Sequence, residues 1–198
     1  EVFIKRIIES MTTNETWWFR DQQMFDALTN NIWPALIKKA KASGRSQIDM
    51  WCAACSTGQE PYSLKIVWEE SGLGNAGIKL NIVATDIDTK VLDQSKAGEY
   101  SQLEVGRGMP IQLLIKYFDQ EEARWKLKDN VKQGINWQQF NLMEGRIAPG
   151  VFDIVLCRNV LIYFTPEGKE TVLNTISRSL HPHGMLFVGG SESLIGLE

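Results

Sequence analysis

Apolar positions along the chain follow two periods, and their order predicts helices first and alternating strands and helices afterwards. Short apolar runs predict five strands, in IDMWCAA, KLNIVATDID, GINWQQFNL, FDIVLCRNVLIYF and MLFVGGSES. Helical spacing predicts helices in TTNETWWFRDQQMFDAL, NIWPALIKKAKASG, EPYSLKIVWEESG, DTKVLDQSKAG and TPEGKETVLNTISRSLHPHG. Strands separated by helices form a mostly parallel sheet with helices on both faces. The predicted fold class is therefore α/β.

Helix boundaries follow from capping residues. Gly44 is predicted to end the second helix, and Pro61 falls in the first turn of the third. Thr165 is the expected N-cap of the last helix, with Pro166 at its first position and Gly184 as its stop.

The segment Glu99 to Gly134 is too long for a simple connection between strand and helix. It contains a predicted short helix from Pro110 (PIQLLIKYF), followed by a small hairpin in WKLKDNVKQG. We interpret it as an inserted subdomain, and surface insertions beside a site often select partners.

Composition narrows the class of protein. The 198 residues suffice for one globular domain, and a net charge of -3 with a pI near 5.5 argues against nucleic-acid binding. No apolar run is long enough to span a bilayer, and no signal peptide is recognisable. Three cysteines are too few and too odd in number for a disulfide framework, so the expected location is the reducing cytoplasm. The amphipathic opening at Val2, Phe3, Ile7, Ile8 and Met11 indicates a fragment of a longer protein.

The stretch WCAACSTGQEPYSL (Trp51–Leu64) is a strand, a turn and a helix start, the arrangement that holds the anionic end of a cofactor. Three further polar residues, Asp86, Asn141 and Asn159, follow other predicted strands. Ligands of open parallel sheets lie beyond the carboxyl ends of the strands, so these four places are expected to meet. Asp86 is suited to accept hydrogen bonds from ribose hydroxyls.

The residues of the turn after the first predicted strand favour S-adenosylmethionine over NAD as the cofactor. A dinucleotide fingerprint needs several glycines, whereas this turn offers Ala54, Ser56 and a single glycine, Gly58. Such a turn suits S-adenosylmethionine, which has no phosphate, and Glu60 is placed to pair with its ammonium group. NAD is disfavoured, while an ordinary tight turn without a cofactor remains open.

Six motifs then identify a relationship: TTNETWWFRD, WCAACSTGQEPYSL, ATDID, FNL, CRNVLIYF and GGSESL. Together, and in this order, they closely resemble the chemotaxis receptor methyltransferases, the CheR family. The resemblance implies a class I methyltransferase fold (a Rossmann-like, doubly wound sheet) and transfer of a methyl group from S-adenosylmethionine to receptor glutamates, giving γ-glutamyl methyl esters and S-adenosylhomocysteine. The implied partner is the cytoplasmic helical region of methyl-accepting chemotaxis receptors, and no metal is expected.

By motif position, the resemblance places nine residues around the cofactor: Asn14, Thr16, Arg20, Glu60, Asp86, Asn141, Leu142, Asn159 and Val160. It also implies that Arg20 and Tyr163 lie near the transferred methyl group. Our hypothesis is that Arg20 orients the acceptor carboxylate while Tyr163 shapes the methyl-transfer face.

The chain also departs from the family pattern. Members normally carry a preceding helical domain, so residues 1–46 are expected to be its end plus linker helices, and residues 47–198 the methyltransferase domain with an insertion at about 100–134. Members usually continue beyond GGSESL into a final strand pair. The stretch YFDQEEARWKLK lacks the glycine loop with which some members bind a receptor's C-terminal pentapeptide, so this chain is expected not to depend on that peptide.

Plainer interpretations stay open for several residues. Arg20 is equally suited to a surface ion pair with Asp21, and Tyr163, Trp17 and Trp18 to the core. Asp86 and Asp88 have the spacing of a metal site, but N-capping by Asp88 is favoured. Cys52 and Cys55 are expected to be free thiols, and His181 and His183 solvated. Rival functions are another carboxylate acceptor or a non-catalytic domain that binds S-adenosylmethionine.

Overall fold

The computed structural model describes residues 14–144 and 150–194, and in these ranges five parallel strands form a central sheet. The sheet contains β1 (Gln47–Ala53), β2 (Lys79–Asp86), β6 (Ile135–Gln139), β7 (Phe152–Cys157) and β8 (Leu180–Phe187), in the order β6-β2-β1-β7-β8. Every residue of β7 is buried, which explains its apolar sequence, interrupted only by Asp153, whose carboxylate pairs with Arg45. The predicted α/β class is thereby confirmed.

Two helices precede the sheet, α1 (Gln22–Ala27) and α2 (Trp33–Ala42), and a π-helical turn at Leu28–Ile32 joins them. Two separate helices were predicted, and the first was expected to start before Trp17. Pro34 has no N–H for the carbonyl of residue 30 and its ring crowds that carbonyl, so a wider turn accommodates it without a break. Residues 14–20 are not helical.

Three further helices pack on the central sheet, and their starts match the sequence prediction. They are α3 (Gln59–Ser71), α4 (Thr89–Ala97) and α8 (Pro166–Ser179). The Asp88 carboxylate accepts a hydrogen bond from Lys90 N at 2.8 Å, and the Thr165 hydroxyl accepts one from Gly168 N at 3.2 Å. Both predicted N-caps are therefore confirmed.

The C-terminal predictions were partly wrong. β7 ends at Cys157, and the expected continuation of the strand is a 3-10 turn at Leu161–Tyr163. α8 ends at Ser179 and passes directly into β8, so Gly184 is a strand residue and not a helix stop. A Cβ at Gly184 would lie 3.1 Å from the Phe152 carbonyl oxygen, so glycine here permits close approach of β8 to β7.

A second sheet, here called the small sheet, lies between α4 and β6 in the chain. Its strands are β3 (Glu99–Ser101), β4 (Phe118–Glu121) and β5 (Arg124–Leu127), antiparallel in the order β3-β5-β4. Three short helices accompany it: α5 (Gln102–Gly106), α6 (Ile111–Tyr117) and α7 (Asp129–Lys132). The hairpin begins at Phe118, earlier than predicted, and most of DNVKQG is helical or turn.

The aromatic residue Trp18 joins the N-terminal segment to the small sheet. Its ring is buried edge-on against Tyr100, with centroids 4.9 Å apart, and against Phe118 at 5.4 Å. Trp18 N also donates to the Arg107 carbonyl at 3.0 Å. This contact keeps residues 14–20 above the strand ends of the central sheet.

Two sequence expectations concern parts outside the described ranges: the amphipathic opening at residues 1–13 and the chain after residue 194. Within the described ranges, no helix has the length and apolar character that crossing a bilayer requires.

Candidate active site

A cavity of about 480 Å³ opens beyond the carboxyl ends of β1, β2 and β7. Its floor is formed by residues that directly follow these strands, and residues 14–20 cover it from the N-terminal side. It is lined by Asn14, Glu15, Thr16, Trp17, Arg20, Phe25, Ala54, Cys55, Ser56, Glu60, Asp86, Ile87, Phe140, Asn141, Leu142, Met143, Arg158, Asn159, Val160, Tyr163 and Phe164.

The turn after β1 is shaped by two left-handed residues, Ala54 (φ 62°) and Ser56 (φ 51°). Ser56 N donates to an Asp86 carboxylate oxygen at 2.8 Å, and Asp88 N donates to the other at 3.0 Å. These bonds stabilise the charged carboxylate, but burial outweighs them and raises the pKa of Asp86. The turn and the tip of β2 are thus held as one unit.

The N-terminal segment is fixed to this unit by side-chain hydrogen bonds. Asn14 Nδ2 donates to Asp88 Oδ2 at 3.1 Å, and the Ser56 hydroxyl donates to the Asn14 carbonyl at 3.0 Å. Phe19 N donates to Ser63 Oγ of α3 at 3.1 Å. Phe19 (φ 51°) and Asp21 (φ 65°) are left-handed, which turns the segment sharply at Arg20.

Arg158, the first residue after β7, lies at the centre of a cluster of charges. Its side chain is 3% exposed, and Nη1 donates to Glu60 Oε2 at 2.6 Å. Nη2 pairs with the Asp21 carboxylate and donates to the Arg20 carbonyl at 3.1 Å. One guanidinium therefore connects the tip of β7, the start of α3 and the N-terminal segment.

This cluster shifts the pKa of its members in opposite senses. Burial raises the pKa of the Glu60 carboxyl, and Arg158 opposes that rise. Burial alone would lower the pKa of Arg158, but Glu60 and Asp21 together raise it above its usual value. Each partner of the Glu60–Arg158 pair therefore favours the charged form of the other, against the effect of burial.

Arg20 points into the same cavity. Its guanidinium carbon lies 3.8 Å from the ring centroid of Trp17, a cation–π contact. Burial, and next the nearby Arg158, lower the pKa of Arg20. Among the described residues no carboxylate is within ion-pairing distance of Arg20, since Asp21 pairs with Arg158 instead. Tyr163 lines the same cavity from the 3-10 turn and is 59% exposed, so it is not a core residue.

The turn formed by residues 159–161 is here called the Asn159 corner. It is held by hydrogen bonds to a residue far along the chain. Asn159 is left-handed (φ 59°), and the Glu192 carboxylate accepts from the N–H groups of Asn159, Val160 and Leu161 at 2.8, 2.9 and 2.7 Å. Gly189 N donates to the same carboxylate at 2.5 Å. Four donors on one carboxylate make this corner rigid.

The last two predicted cofactor-site residues, Asn141 and Leu142, follow β6. Asn141 Oδ1 accepts from Met143 N at 3.0 Å and so begins a 3-10 turn, Leu142–Glu144. Leu142 is buried and contributes an apolar wall to the cavity.

The structure brings eleven of the twelve predicted cofactor-site residues to this cavity, together with Tyr163: Asn14, Thr16, Arg20, Ala54, Ser56, Glu60, Asp86, Asn141, Leu142, Asn159 and Val160. Gly58 is not among the lining residues. It is left-handed (φ 92°) ahead of α3, and a Cβ there would lie 2.9 Å from Ser95 Oγ and 3.1 Å from the Trp137 ring. The absence of a side chain at Gly58 allows Ser95 and Trp137 to pack closely against the backbone at the start of α3.

Three residues that matter here were missed from the sequence. A core position was left open for both Trp17 and Trp18, but Trp17 lines the cavity and only Trp18 is buried in the core. Arg158 follows the apolar run of residues 154–157, the same signal that drew attention to Asn159, and a buried charge there needs partners. Glu192 lies inside the quoted GGSESL motif, but nothing local reveals that its carboxylate reaches the Asn159 corner.

Two other groups considered in the sequence were the cysteine thiols and the pair Asp86 and Asp88, which has the spacing of a metal site. Cys52, Cys55 and Cys157 are buried and free, and burial raises the pKa of each, which disfavours the reactive thiolate. Across residues 14–144 and 150–194, no three His, Cys, Asp or Glu side chains gather as a metal site would require.

A parallel sheet in the order β6-β2-β1-β7-β8, with a cavity at the strand ends that carries several polar and charged groups, is the Rossmann-like arrangement that class I S-adenosylmethionine-dependent methyltransferases share. Residues 14–198 match the family described as CheR methyltransferase, SAM binding domain. The chain is 43% identical over 195 residues to chemotaxis protein methyltransferase 1 of Pseudomonas aeruginosa, covering 96% of this chain and 70% of that one. It is 45% identical over 193 residues to the chemotaxis protein methyltransferase of Vibrio anguillarum, covering 96% and 68%. The chain belongs to the CheR family of chemotaxis methyltransferases.

Proposed function

We propose that this enzyme methylates glutamate side chains in the cytoplasmic helical region of methyl-accepting chemotaxis receptors, releasing S-adenosylhomocysteine. The observation that carries the proposal is the Arg20 guanidinium, which lies over Trp17 in the cavity that Tyr163 also lines and has no ion-pair partner among the described carboxylates. A cation without a carboxylate partner in the described ranges is suited to receive the carboxylate of an acceptor.

The chemistry needs alignment more than proton transfer. A glutamate side chain has a reference pKa of about 4.3, so at neutral pH it is already a carboxylate and requires no general base. One carboxylate oxygen attacks the methyl carbon, and the carbon–sulfur bond breaks with its electron pair going to sulfur. The products are a neutral methyl ester and a neutral thioether. Opposite charges are cancelled in the transition state, so a dry and well-aligned site accelerates the step.

In this proposal the cofactor occupies the floor of the cavity. Asp86 accepts hydrogen bonds from the ribose hydroxyls, and Glu60 faces the ammonium group of the methionine moiety. Asn141, Leu142, Asn159 and Val160 surround the adenosine from the tips of β6 and β7. Asn14 and Thr16 close the site from the N-terminal segment, and the Ala54–Ser56 turn contacts the donor. No residue is asked to bind a metal.

Two further parts of the proposal concern the rest of the chain. Residues 47–198 form the catalytic domain, and the insertion at about 100–134 carries the small sheet. The β4–β5 turn at Glu122 and Ala123 is short and glycine-free, which supports methylation without a receptor C-terminal pentapeptide. The three buried free thiols fit a reducing cytoplasm.

The experiment is methylation of a receptor cytoplasmic fragment by Arg20→Ala and Tyr163→Phe, with Arg178→Ala as the control. Arg178 is an exposed cation on α8, remote from the cavity lining. We expect Arg20→Ala to lower turnover by about 100-fold, because the acceptor loses its alignment. Tyr163→Phe keeps the ring and should lower turnover less. Calorimetry should show that much of the affinity of Arg20→Ala for S-adenosylmethionine survives, and S-adenosylhomocysteine should bind at least as tightly.

The outcomes separate the rival functions. Unchanged methylation by Arg20→Ala would remove this residue from the mechanism. Cofactor binding without methylation of any receptor fragment would support a regulatory domain or a different carboxylate acceptor. Equal rates on fragments with and without the C-terminal peptide are expected if the hairpin is not a docking element.

A further inference from the structure

We propose that Arg158 is a positioning residue: it keeps the Glu60 carboxylate oriented for the cofactor's ammonium group and at the same time fixes the segment that carries Arg20. The inference rests on the proposed cofactor placement and adds a residue that this placement does not assign. The observation behind it is that the Arg158 guanidinium contacts the Glu60 carboxylate, the Asp21 carboxylate and the Arg20 carbonyl.

The burial of this cluster shows why a partner is needed. The side chains of Arg158 and Glu60 are 3% and 15% exposed, so an unpaired charge on either would be costly. Nη1 engages only Oε2 of Glu60. Arg158 thus holds the carboxylate in the cavity wall without using up both of its oxygens.

The second role follows from the backbone of residues 19–21. Phe19 and Asp21 are both left-handed, a conformation that persists only when surrounding contacts fix it. Arg158 supplies two of these contacts, to the Asp21 side chain and to the Arg20 carbonyl. The direction in which the Arg20 side chain leaves the backbone therefore depends on Arg158.

The electrostatic environment of Glu60 makes the role testable. The groups that face Glu60 are Arg158, Arg20, Asp21 and the buried thiols of Cys52, Cys55 and Cys157. Burial raises the Glu60 pKa, and Arg158 is the foremost opposing influence. Without Arg158, Glu60 would bind a proton at a higher pH and lose its attraction for an ammonium group.

The decisive experiment is calorimetric titration of Arg158→Met with two probes, S-adenosylmethionine and 5′-methylthioadenosine, between about pH 5.5 and about pH 7.5. Within this range the ligand's α-ammonium stays mostly protonated, since its reference pKa is about 7.7–8.0. The second probe has the same nucleoside but no amino-acid moiety. Arg178→Met, which removes an exposed cation, is the matched control.

We expect Arg158→Met to weaken S-adenosylmethionine binding by about tenfold or more, and most strongly at the acid end of the range. Binding of 5′-methylthioadenosine should change by less than about threefold and should not depend on pH, because this probe does not reach Glu60. The double variant Arg158→Met/Glu60→Gln should lose the pH dependence. An equal, pH-independent loss for both probes would overturn the proposal in favour of a purely structural role, and so would no loss for either.

A second variant covers the case in which Arg158→Met does not fold. Arg158→Lys keeps the positive charge but lacks the fork that reaches two carboxylates. Its S-adenosylmethionine affinity should stay nearly independent of pH while kcat for receptor methylation falls, since the Arg20 segment loses its contacts. A wild-type kcat would contradict the second role. Failure of the wild-type protein to bind either probe would instead refute the proposed cofactor site, so the two failures are distinguishable.

Discussion

The central sheet and the small sheet use charged residues in different ways. In the central sheet, Arg45 bonds both oxygens of buried Asp153, at 2.8 and 2.6 Å, and Arg158 bonds buried Glu60. The three ion pairs along the small sheet are 3.6–3.9 Å long and largely exposed: Lys126–Glu121, Lys128–Asp119 and Arg124–Glu99. Exposed pairs of this kind contribute little to stability.

The small sheet is instead held by sterics and aromatic packing. Trp18, Tyr100 and Phe118 form its buried centre, and Gly108 brings its backbone against the Trp18 carbonyl. The comparison shows that buried ion pairs organise the central sheet, whereas aromatic packing and a close backbone contact hold the small sheet in place. Three predictions test that division, in decreasing order of the destabilisation expected.

The largest effect is expected for Gly108→Ala. Gly108 is left-handed (φ 97°), and a Cβ there would lie 2.3 Å from the Trp18 carbonyl oxygen, so backbone must move. We expect the free energy of unfolding to fall by about 3 kcal/mol, measured by urea denaturation.

Gly106→Ala is the matched control for this change. Gly106 ends α5, and a Cβ there meets nothing within 4 Å. Its unfolding free energy should change by less than about 1 kcal/mol, with stabilisation favoured. Similar losses for both variants would show that packing against Trp18 does not hold the small sheet.

An intermediate effect is expected for Asp153→Asn in the central sheet. Burial opposes ionisation of Asp153, but its bonds from Arg45 and from Asp49 N prevail and lower its pKa. The stabilisation is therefore present above the ordinary pKa of about 3.9 and is lost as the pH falls through the lower, folded-state value. At pH 7 we expect a loss of about 2 kcal/mol.

The measurement is urea denaturation of Asp153→Asn and the wild type from about pH 7 to about pH 3, where the difference in unfolding free energy should shrink. Asp93→Asn is the control, because Asp93 is 78% exposed and meets Lys96 at 3.6 Å. A difference that stays constant across this range would exclude the ion pair as its cause.

The smallest effect is expected for Lys126→Gln, which removes the exposed pair with Glu121 across β4 and β5. Because both side chains are solvated, the unfolding free energy should change by less than about 0.5 kcal/mol, and added salt should reduce even that. A salt-sensitive loss above about 1 kcal/mol would show that charges do stabilise the small sheet, and the contrast between the two sheets would then fail.

The sequence predicted those features whose causes are local. The strands β1, β2 and β7 were visible because each contains a contiguous apolar run, and Asp88 and Thr165 were recognisable caps because their donors lie two or three residues away. The strand tips then followed from topology, which places Asp86, Asn141 and Asn159 at one edge.

What escaped prediction depends on partners distant in the chain. Arg158 meets Asp21 across 137 positions and Glu60 across 98, so no window of sequence contains the cluster. The left-handed turns at Ala54 and Ser56 occur at residues that normally avoid that conformation and are imposed by tertiary contacts. The helix end expected at Gly184 failed for the same reason, since its smallness serves a neighbouring strand.

The Glu192 carboxylate has a consequence for biosynthesis. The corner at Asn159 and Val160 emerges from the ribosome well before the residue that accepts its N–H groups. Until Glu192 follows, these N–H groups lack their carboxylate partner, so this wall of the cavity takes its final form only after Glu192 has been synthesised. A nascent chain stalled before Glu192 would carry the five described strands of the central sheet and still lack the carboxylate that fixes this wall.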